Sequence, residues 1–290
     1  MSLKIFIKRI VLFLLASIGY FLLLPLWPGR RKNKLAILRY HSVSDFRRHE
    51  VNVKINKFRK QMEFLAEKCK AVSLKDAVEL LKKRKQFPKN AIVVTFDDGY
   101  KDNYTNAYPI LKDFSISAMI FLSVGFIGKN KIMDHDKGDN PAYNNLLSWF
   151  EVREMAQGGI EFGSHTISHA NLGGKGVDAK SEIEVSKKII EKELGFKIWA
   201  ISYPFGLLKN FNQQTKYLAC QAGYACGCSA MNGVNDTNSD IFELRRIGIE
   251  ASDNMFTFRA KLNGALDLLE IKDWPMFNWM LRIFNRMIGV

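Results

Sequence analysis

Two kinds of apolar run alternate along this chain. Short runs rich in β-branched and aromatic residues read as buried strands: Leu35–Tyr40, Ala91–Val94 leading into Asp97-Asp98, Ala118–Leu122, Ile160–Ser164 leading into His165, Ile198–Tyr203 and Tyr224–Ser229. Between them lie segments whose apolar residues recur every three or four positions. Ile55–Cys69 puts Phe58, Met62 and Leu65 on one face, and Ala179–Leu194 turns Ile183, Ile189 and Ile190 inward before Gly195 stops it. Further helices are predicted from Ser73, as N-cap with Asp76 in the first turn, through Leu81; near Asn106–Phe114; from Ser148 through Met155, ended by Gly158-Gly159; and at Asn212–Ala222. The stretch Gly125–Asn145, rich in Gly, Asn, Asp and Lys, predicts a loop at the rim of a groove. Strand and helix in regular turn predict a parallel α/β sheet.

Both ends depart from that rhythm. Ile10 to Trp27 is a nearly unbroken apolar run of about 18 residues, just long enough to cross a hydrocarbon core. A cleaved signal peptide is the alternative. No small-x-small site follows the run, which ends in Pro25-Leu26-Trp27-Pro28 and then Arg30-Arg31-Lys32, so an uncleaved single-pass anchor is the reading preferred. Basic residues flank both sides and leave the orientation open. At the other end, Trp274, Phe277, Leu281, Phe284 and Ile288 recur at helical spacing, with Arg282 and Arg286 on other faces. That describes an amphipathic helix for a membrane interface, or a packed closing helix. The expected division is an anchor and basic flank at 1–34, a catalytic domain at 35–265 and an amphipathic helix at 266–290.

Charge narrows the partners. A formal net charge of +14 over 290 residues favours an anionic surface or ligand. The basic residues are dispersed and carry no nucleic-acid motif, so a membrane face comes first, an acidic glycan second, and nucleic acid is set aside. The cysteines Cys69, Cys220, Cys226 and Cys228 lack the spacing of a structural zinc site, and Cys226 and Cys228 read as small core residues.

Candidate chemistry sits at two predicted strand ends. Thr95-Phe96-Asp97-Asp98-Gly99-Tyr100 offers two carboxylates, and His165-Thr166-Ile167-Ser168-His169 offers two imidazoles. Two His with one or two Asp suit a divalent transition metal, and a further carboxylate beside it suits a hydrolase that must deprotonate water. Adjacent residues on a strand face opposite ways, so Asp97 and Asp98 cannot easily both be ligands. His135, between Asp134 and Asp136, reads as part of a solvated loop.

At these residues the chain resembles the polysaccharide deacetylases, carbohydrate esterase family 4, over roughly residues 35–250. Supporting similarity lies in Ile110-Leu111-Lys112, in Ala118–Leu122 and in Tyr203-Pro204-Phe205-Gly206. The resemblance implies a distorted (β/α)7 barrel and hydrolysis of N-acetyl groups on amino sugars. It implies Asp97 as general base and Asp98, His165 and His169 as ligands of a divalent metal, zinc first, with cobalt, nickel, iron or manganese tolerated. It also implies an oxyanion donor at the backbone N–H of Phe205, with Tyr100, Tyr203 and Pro204 as substrate-binding positions. No histidine follows His169, where many family members carry the acid. Arg39-Tyr40-His41-Ser42 instead resembles the subgroup acting on poly-N-acetylglucosamine, where a Tyr-His segment supplies it, and this makes His41 the candidate acid. The common motif places an Arg before the proline of the third motif to pair with the base; here Ile201-Ser202-Tyr203 stands instead, and Arg246 is the candidate to reach the base from a later strand end.

The function expected is therefore that of a membrane-anchored, metal-dependent deacetylase of a cell-envelope or extracellular glycan, with its catalytic domain outside the cytoplasm. A deacylase of a lipid-linked sugar and a non-catalytic glycan-binding membrane protein are the alternatives. The sequence says nothing of oligomeric state.

Overall fold

A strand buried on both faces reads as an unbroken apolar run, and Ala91–Phe96 is such a strand, with every residue buried. In the computed structural model, which describes residues 3–19, 21, 31, 33–46, 49–137 and 145–267, ten strands are formed. They are β1 Leu35–Tyr40, β2 Ser42–Val43, β3 Asn52–Val53, β4 Lys70–Ala71, β5 Ala91–Phe96, β6 Ala118–Leu122, β7 Glu161–Ser164, β8 Ala200–Ser202, β9 Cys226–Cys228 and β10 Ile247–Gly248. The α-helices are α1 Leu3–Ile18, α2 Ile55–Lys68, α3 Leu74–Lys82, α4 Tyr108–Asp113, α5 Trp149–Gln157, α6 Ala179–Leu194, α7 Gln213–Gln221 and α8 Met255–Asn263. Local chemistry explains several limits. Ser73 accepts from the Asp76 amide, Ser148 and Glu151 form a reciprocal cap, and Gly195 ends α6 at φ +76°. A π-turn at Asn103–Ala107 precedes α4, where the sequence predicts continuous helix from Asn106.

The main sheet is parallel throughout, in the order β10-β1-β5-β6-β7-β8-β9, with β4 beside the start of β5. It curls into a half-barrel. Alternate residues divide between two cores, as strand geometry requires. Leu35, Ile37, Val93, Met119, Phe121, Ala200, Cys226 and Cys228 form an inner cluster, plugged by Leu74, Ala77, Val78 and Leu81 of α3. Ala36, Leu38, Tyr40, Ile92, Val94 and Phe96 join an outer cluster shared with the flanking helices. The sheet edges meet at one place, where Cys228 bridges Leu244 and the Ser229 amide donates to the Leu244 carbonyl at 2.8 Å.

The membrane-spanning helix expected over Ile10–Trp27 is not what the described residues form. Helix α1 is described from Leu3 to Ile18, Gly19 and Phe21 follow in π-helical geometry, and the rest of the expected span lies outside the described residues, among which no helix is long and apolar enough to cross a membrane. Leu12 and Ala16 of α1 instead pack on Ala260, Ala265 and Leu266, and Phe13 meets the Phe256 ring at 5.2 Å. Residues 22–30, most of the amphipathic segment 266–290 and part of the rim loop lie outside the described residues.

Candidate metal centre and catalytic cavity

Strand ends bring the candidate residues together. Asp97 and Asp98 follow β5, His165 follows β7, His41 follows β1, and Tyr203 to Phe205 follow β8. All belong to the C-terminal mouth, where parallel α/β folds place their chemistry. A cavity of about 210 Å³ opens there, lined by Arg39, His41, His49, Val51, Asp97, Asp98, His135, His165, His169, Tyr203, Phe205 and Ala230. All five histidines of the chain face it.

Asp98, His165 and His169 converge. Asp98 Oδ1 lies 3.6 Å from His165 Nε2 and 3.5 Å from His169 Nε2. The three donor atoms fall within 4.8 Å of one another, and they are the one such group among the described residues. Asp98 Oδ1 is buried and has no hydrogen-bond donor. A buried carboxylate oxygen without a donor is costly, and a cation between it and the two imidazoles resolves that cost. His165 Nδ1 is 2.7 Å from the Ser202 carbonyl, so it carries the proton and leaves Nε2 free as a ligand. Glu182 of α6 accepts from the amides of Ile167 and Ser168 at 2.7 and 3.0 Å, which pins the turn between the two histidines. The residues present therefore fit a divalent metal. Burial pushes the His169 imidazole down to about 4, so it is neutral near pH 7, as a ligand must be.

Backbone strain concentrates at the same place. Asp98, Thr166, His169 and Phe205 all adopt positive φ, at +76°, +68°, +57° and +59°. Such conformations cost roughly 1–3 kcal/mol each in non-glycine residues and persist where the surroundings over-determine them. Gly99 continues the turn at φ +80°, where a Cβ would come within 2.8 Å of Leu122.

Asp97 is held differently. Arg246 Nη1 and Nη2 donate to its two oxygens at 2.8 and 2.7 Å. The same guanidinium donates to the Ser229 carbonyl at 2.7 Å, to Thr95 Oγ1 at 3.3 Å and to Ser202 Oγ at 2.8 Å. All five donors are used, and the side chain is wholly buried over the Phe121 ring. Arg246 thus fills the place left by the arginine missing before Pro204, although it stands at the start of β10 rather than at a strand end. Burial alone would push the Asp97 carboxyl up; Arg246 more than offsets this and holds it well below the usual carboxylate range.

The remaining sequence candidates divide. His41 lines the cavity with its Nδ1 buried and unpartnered, and burial pushes it down to about 3, so the resting imidazole is neutral. Phe205 lines the cavity, its ring 4.8 Å from that of His169. Tyr203 contributes a cavity wall, but its hydroxyl donates to the Phe242 carbonyl and its ring stacks on Phe211. Tyr100 and Pro204 are not among the lining residues. The Tyr100 hydroxyl is committed instead to Asp136 Oδ2 at 2.8 Å and lies 3.1 Å from His135 Nε2. This contact corrects the solvated-loop reading of His135, whose Nε2 stands 3.6 Å from Asp98 Oδ2. Nothing in its Asp-rich surroundings signalled that. Arg39 could have been found, since it lies on β1 two residues before His41, and strand alternation sends both to the same side.

Comparison with known proteins agrees with this geometry. The sequence pattern of the family described as polysaccharide deacetylase matches residues 84–227. The chain is 32% identical to YxkH of Bacillus subtilis, assigned to the polysaccharide deacetylases, over 80% of this chain and 77% of that protein. It is 29% identical to a poly-beta-1,6-N-acetyl-D-glucosamine N-deacetylase of Staphylococcus aureus, over 78% of this chain and 77% of that one. The structure of the Streptococcus pyogenes deacetylase PplD in complex with acetate superposes with a TM-score of 0.65 at 25% identity, covering 77% of this chain and 96% of that one. With its parallel half-barrel and its paired Asp-Asp and His-x3-His strand ends, the chain belongs to the polysaccharide deacetylase family.

Proposed function

We propose that this protein removes acetyl groups from N-acetylated amino sugars of a cell-envelope or extracellular glycan, of the poly-N-acetylglucosamine type. The observation that carries this reading is the donor-less Asp98 oxygen between two imidazoles, beside an Asp97 clamped by Arg246. Asp98, His165 and His169 would hold a divalent ion, zinc first. Bound there, the ion supplies Lewis acidity toward the acetyl carbonyl and the attacking water.

The chain's own residues supply the rest. Asp97, ionised throughout the neutral range, takes a proton from water as general base, and Arg246 fixes the direction from which it does so. The Phe205 backbone N–H stabilises the negative charge that develops on the carbonyl oxygen. The leaving amine needs a proton, and His41 is the residue placed to give it. Because His41 rests neutral, its proton must arrive during the reaction, and the proton gathered by Asp97 is the one the site itself generates.

We further place the protein at the cell membrane, held by its N-terminal segment with the catalytic domain outside the cytoplasm. Supporting this, α1 exposes Ile7, Ile10, Val11, Leu14 and Ile18. Removing residues 1–30 should then release the protein from membranes that retain the full chain through a carbonate wash.

The deciding experiment is acetate release by the purified, zinc-loaded protein from N-acetylated oligosaccharides. Turnover should vanish on chelation and return on adding metal. Turnover that is indifferent to chelation, with no metal bound, would overturn the metal-dependent reading.

A further inference from the structure

Among the described residues two arginines reach the mouth of the half-barrel, and of these only Arg246 has hydrogen-bond partners. Arg246 uses all five donors, as described. Arg39 lines the cavity beside His41, Asp97 and Asp98, yet no hydrogen bond or ion pair joins its guanidinium to another described residue, and its Nε is buried without an acceptor. Room has been made for it. Arg39 is paired in register with Gly248 of β10, and a Cβ at Gly248 would come within 3.0 Å of Arg39 Nη2.

The neighbouring carboxylates do not require Arg39. Both Asp97 oxygens are taken by Arg246, while Asp98 faces His165 and His169 through one oxygen and His135 through the other. Glu250 attracts the guanidinium without forming an ion pair with it. A half-buried guanidinium with no acceptor pays a desolvation cost that is recovered when an acceptor arrives. Charge says what kind. The charged groups that line the cavity are Arg39, Asp97 and Asp98, with Arg246 paired to Asp97, so a divalent ion in the site would leave that lining cationic, with Glu250 and Asp136 standing outside it. A planar guanidinium matches carboxylate or phosphate oxygens two at a time.

We propose that Arg39 recognises an anionic substituent, a carboxylate or a phosphate, on the amino sugar being deacetylated or on the sugar next to it. The proposal rests on the deacetylase reading and departs from its poly-N-acetylglucosamine type, which carries no anion, toward an acidic amino-sugar glycan. The chain's net charge of +14 would draw such a polymer toward the cavity.

The test uses the metal-loaded full chain and three probes: a β-1,4-linked tetramer of N-acetylglucosamine, whose C6 hydroxyls are free, the same tetramer oxidised to carboxylates at C6, and the same tetramer phosphorylated at C6. The wild type should favour one anionic tetramer over the neutral one by roughly 10- to 100-fold in kcat/KM, the range for a charge-assisted hydrogen bond. Which anion is preferred identifies the source. In Arg39→Met that ratio should fall to about one, and Arg39→Lys should keep part of it. A wild type that prefers neither anion overturns the proposal, as does an Arg39→Met variant that lowers all three probes by the same factor. Should the wild type release acetate from none of them, the deacetylase reading fails, and calorimetric binding of the same tetramers decides the role of Arg39. Tighter anion binding by the wild type than by Arg39→Met supports it, and equal binding overturns it.

Discussion

The mouth and the floor of the half-barrel are built by the same strands and follow opposite rules. On the floor, Leu35, Ile37, Val93, Met119 and Phe121 interlock with α3, and the inner cluster is apolar. At the mouth, a few residues further along, buried polar atoms of Asp98, His41 and Arg39 have no partner, and four non-glycine residues hold positive φ. Unsatisfied polar groups and strained backbone subtract from stability, so the floor and the flanking helices must carry the fold. The difference teaches where chemistry is stored: the mouth is left incomplete in the places a metal and a substrate would complete it.

Removing a mouth residue that a ligand completes should therefore abolish function while sparing the fold. His169→Ala should lose most bound metal and nearly all acetate release, with little change in the thermal stability of the metal-free protein. Full metal occupancy in that variant, measured by elemental analysis, would take His169 out of the site.

One mouth element obeys the floor's rule, and it sharpens the comparison. Arg246 and Asp97 are a complete, wholly buried pair, and removing one partner of such a pair costs about 3–5 kcal/mol because the other charge is left stranded. Arg246→Met should lower unfolding free energy by that much in urea titrations. Asp97→Asn keeps an acceptor for the guanidinium and should be milder in stability, yet should lower kcat on the order of 10² to 10⁴ with metal retained, the usual weight of a general base. Metal lost together with activity in Asp97→Asn would reverse the assignment of the two aspartates.

This contrast also sets how much was legible in advance. Helix α6 keeps the limits its periodicity predicts, and β5 and β7 deliver Asp98 and His165 from strand ends named by their apolar runs. The floor is readable because burial leaves a periodic trace. The mouth depends on side chains that meet across strands. His135 reaches Asp98 from a loop without periodicity, and β10, which Arg246 precedes, is only two residues long. Arg246 was accessible only through the gap left by the arginine absent before Pro204. Helix α1 divides its apolar run: Leu12 and Ala16 find tertiary partners on α8 and the segment after it, while Ile10, Val11, Leu14 and Ile18 stay exposed.

Acid should separate the two regions next. His169 and His41 are pushed down to about 4 and about 3 from an ordinary value of 6.5, by burial in both cases. In the fold they stay neutral while the unfolded chain takes up protons below about pH 6.5. The unfolded state then binds more protons between pH 6.5 and 4, so the metal-free protein loses stability as the pH falls through that window, on the order of a few kcal/mol. Asp97 and Asp98, both held low, extend the loss at still lower pH. Urea midpoints of chelated protein at pH 7, 6, 5 and 4 should fall monotonically. A flat profile would mean that these imidazoles are not held neutral and that the mouth carries less strain than its geometry indicates.

The smallest effect comes from the floor. Ile37 is fully buried in the inner cluster, on the same strand and the same face as Arg39, two residues before His41. Ile37→Val deletes one methylene and leaves a small cavity, a change that typically costs about 0.5–1.5 kcal/mol. Nothing in the metal site touches that methylene, and the Arg246–Asp97 pair stands between the floor and the cavity. Urea unfolding should therefore shift by that amount, while zinc affinity and kcat/KM stay at wild-type values. A core is stiff and can transmit a shape change along a strand, so the result is not assured by distance alone. If Ile37→Val weakens zinc binding several-fold, floor and mouth move as one body, and the strain at Asp98 and His169 is set by how the floor packs rather than by the turns that carry them.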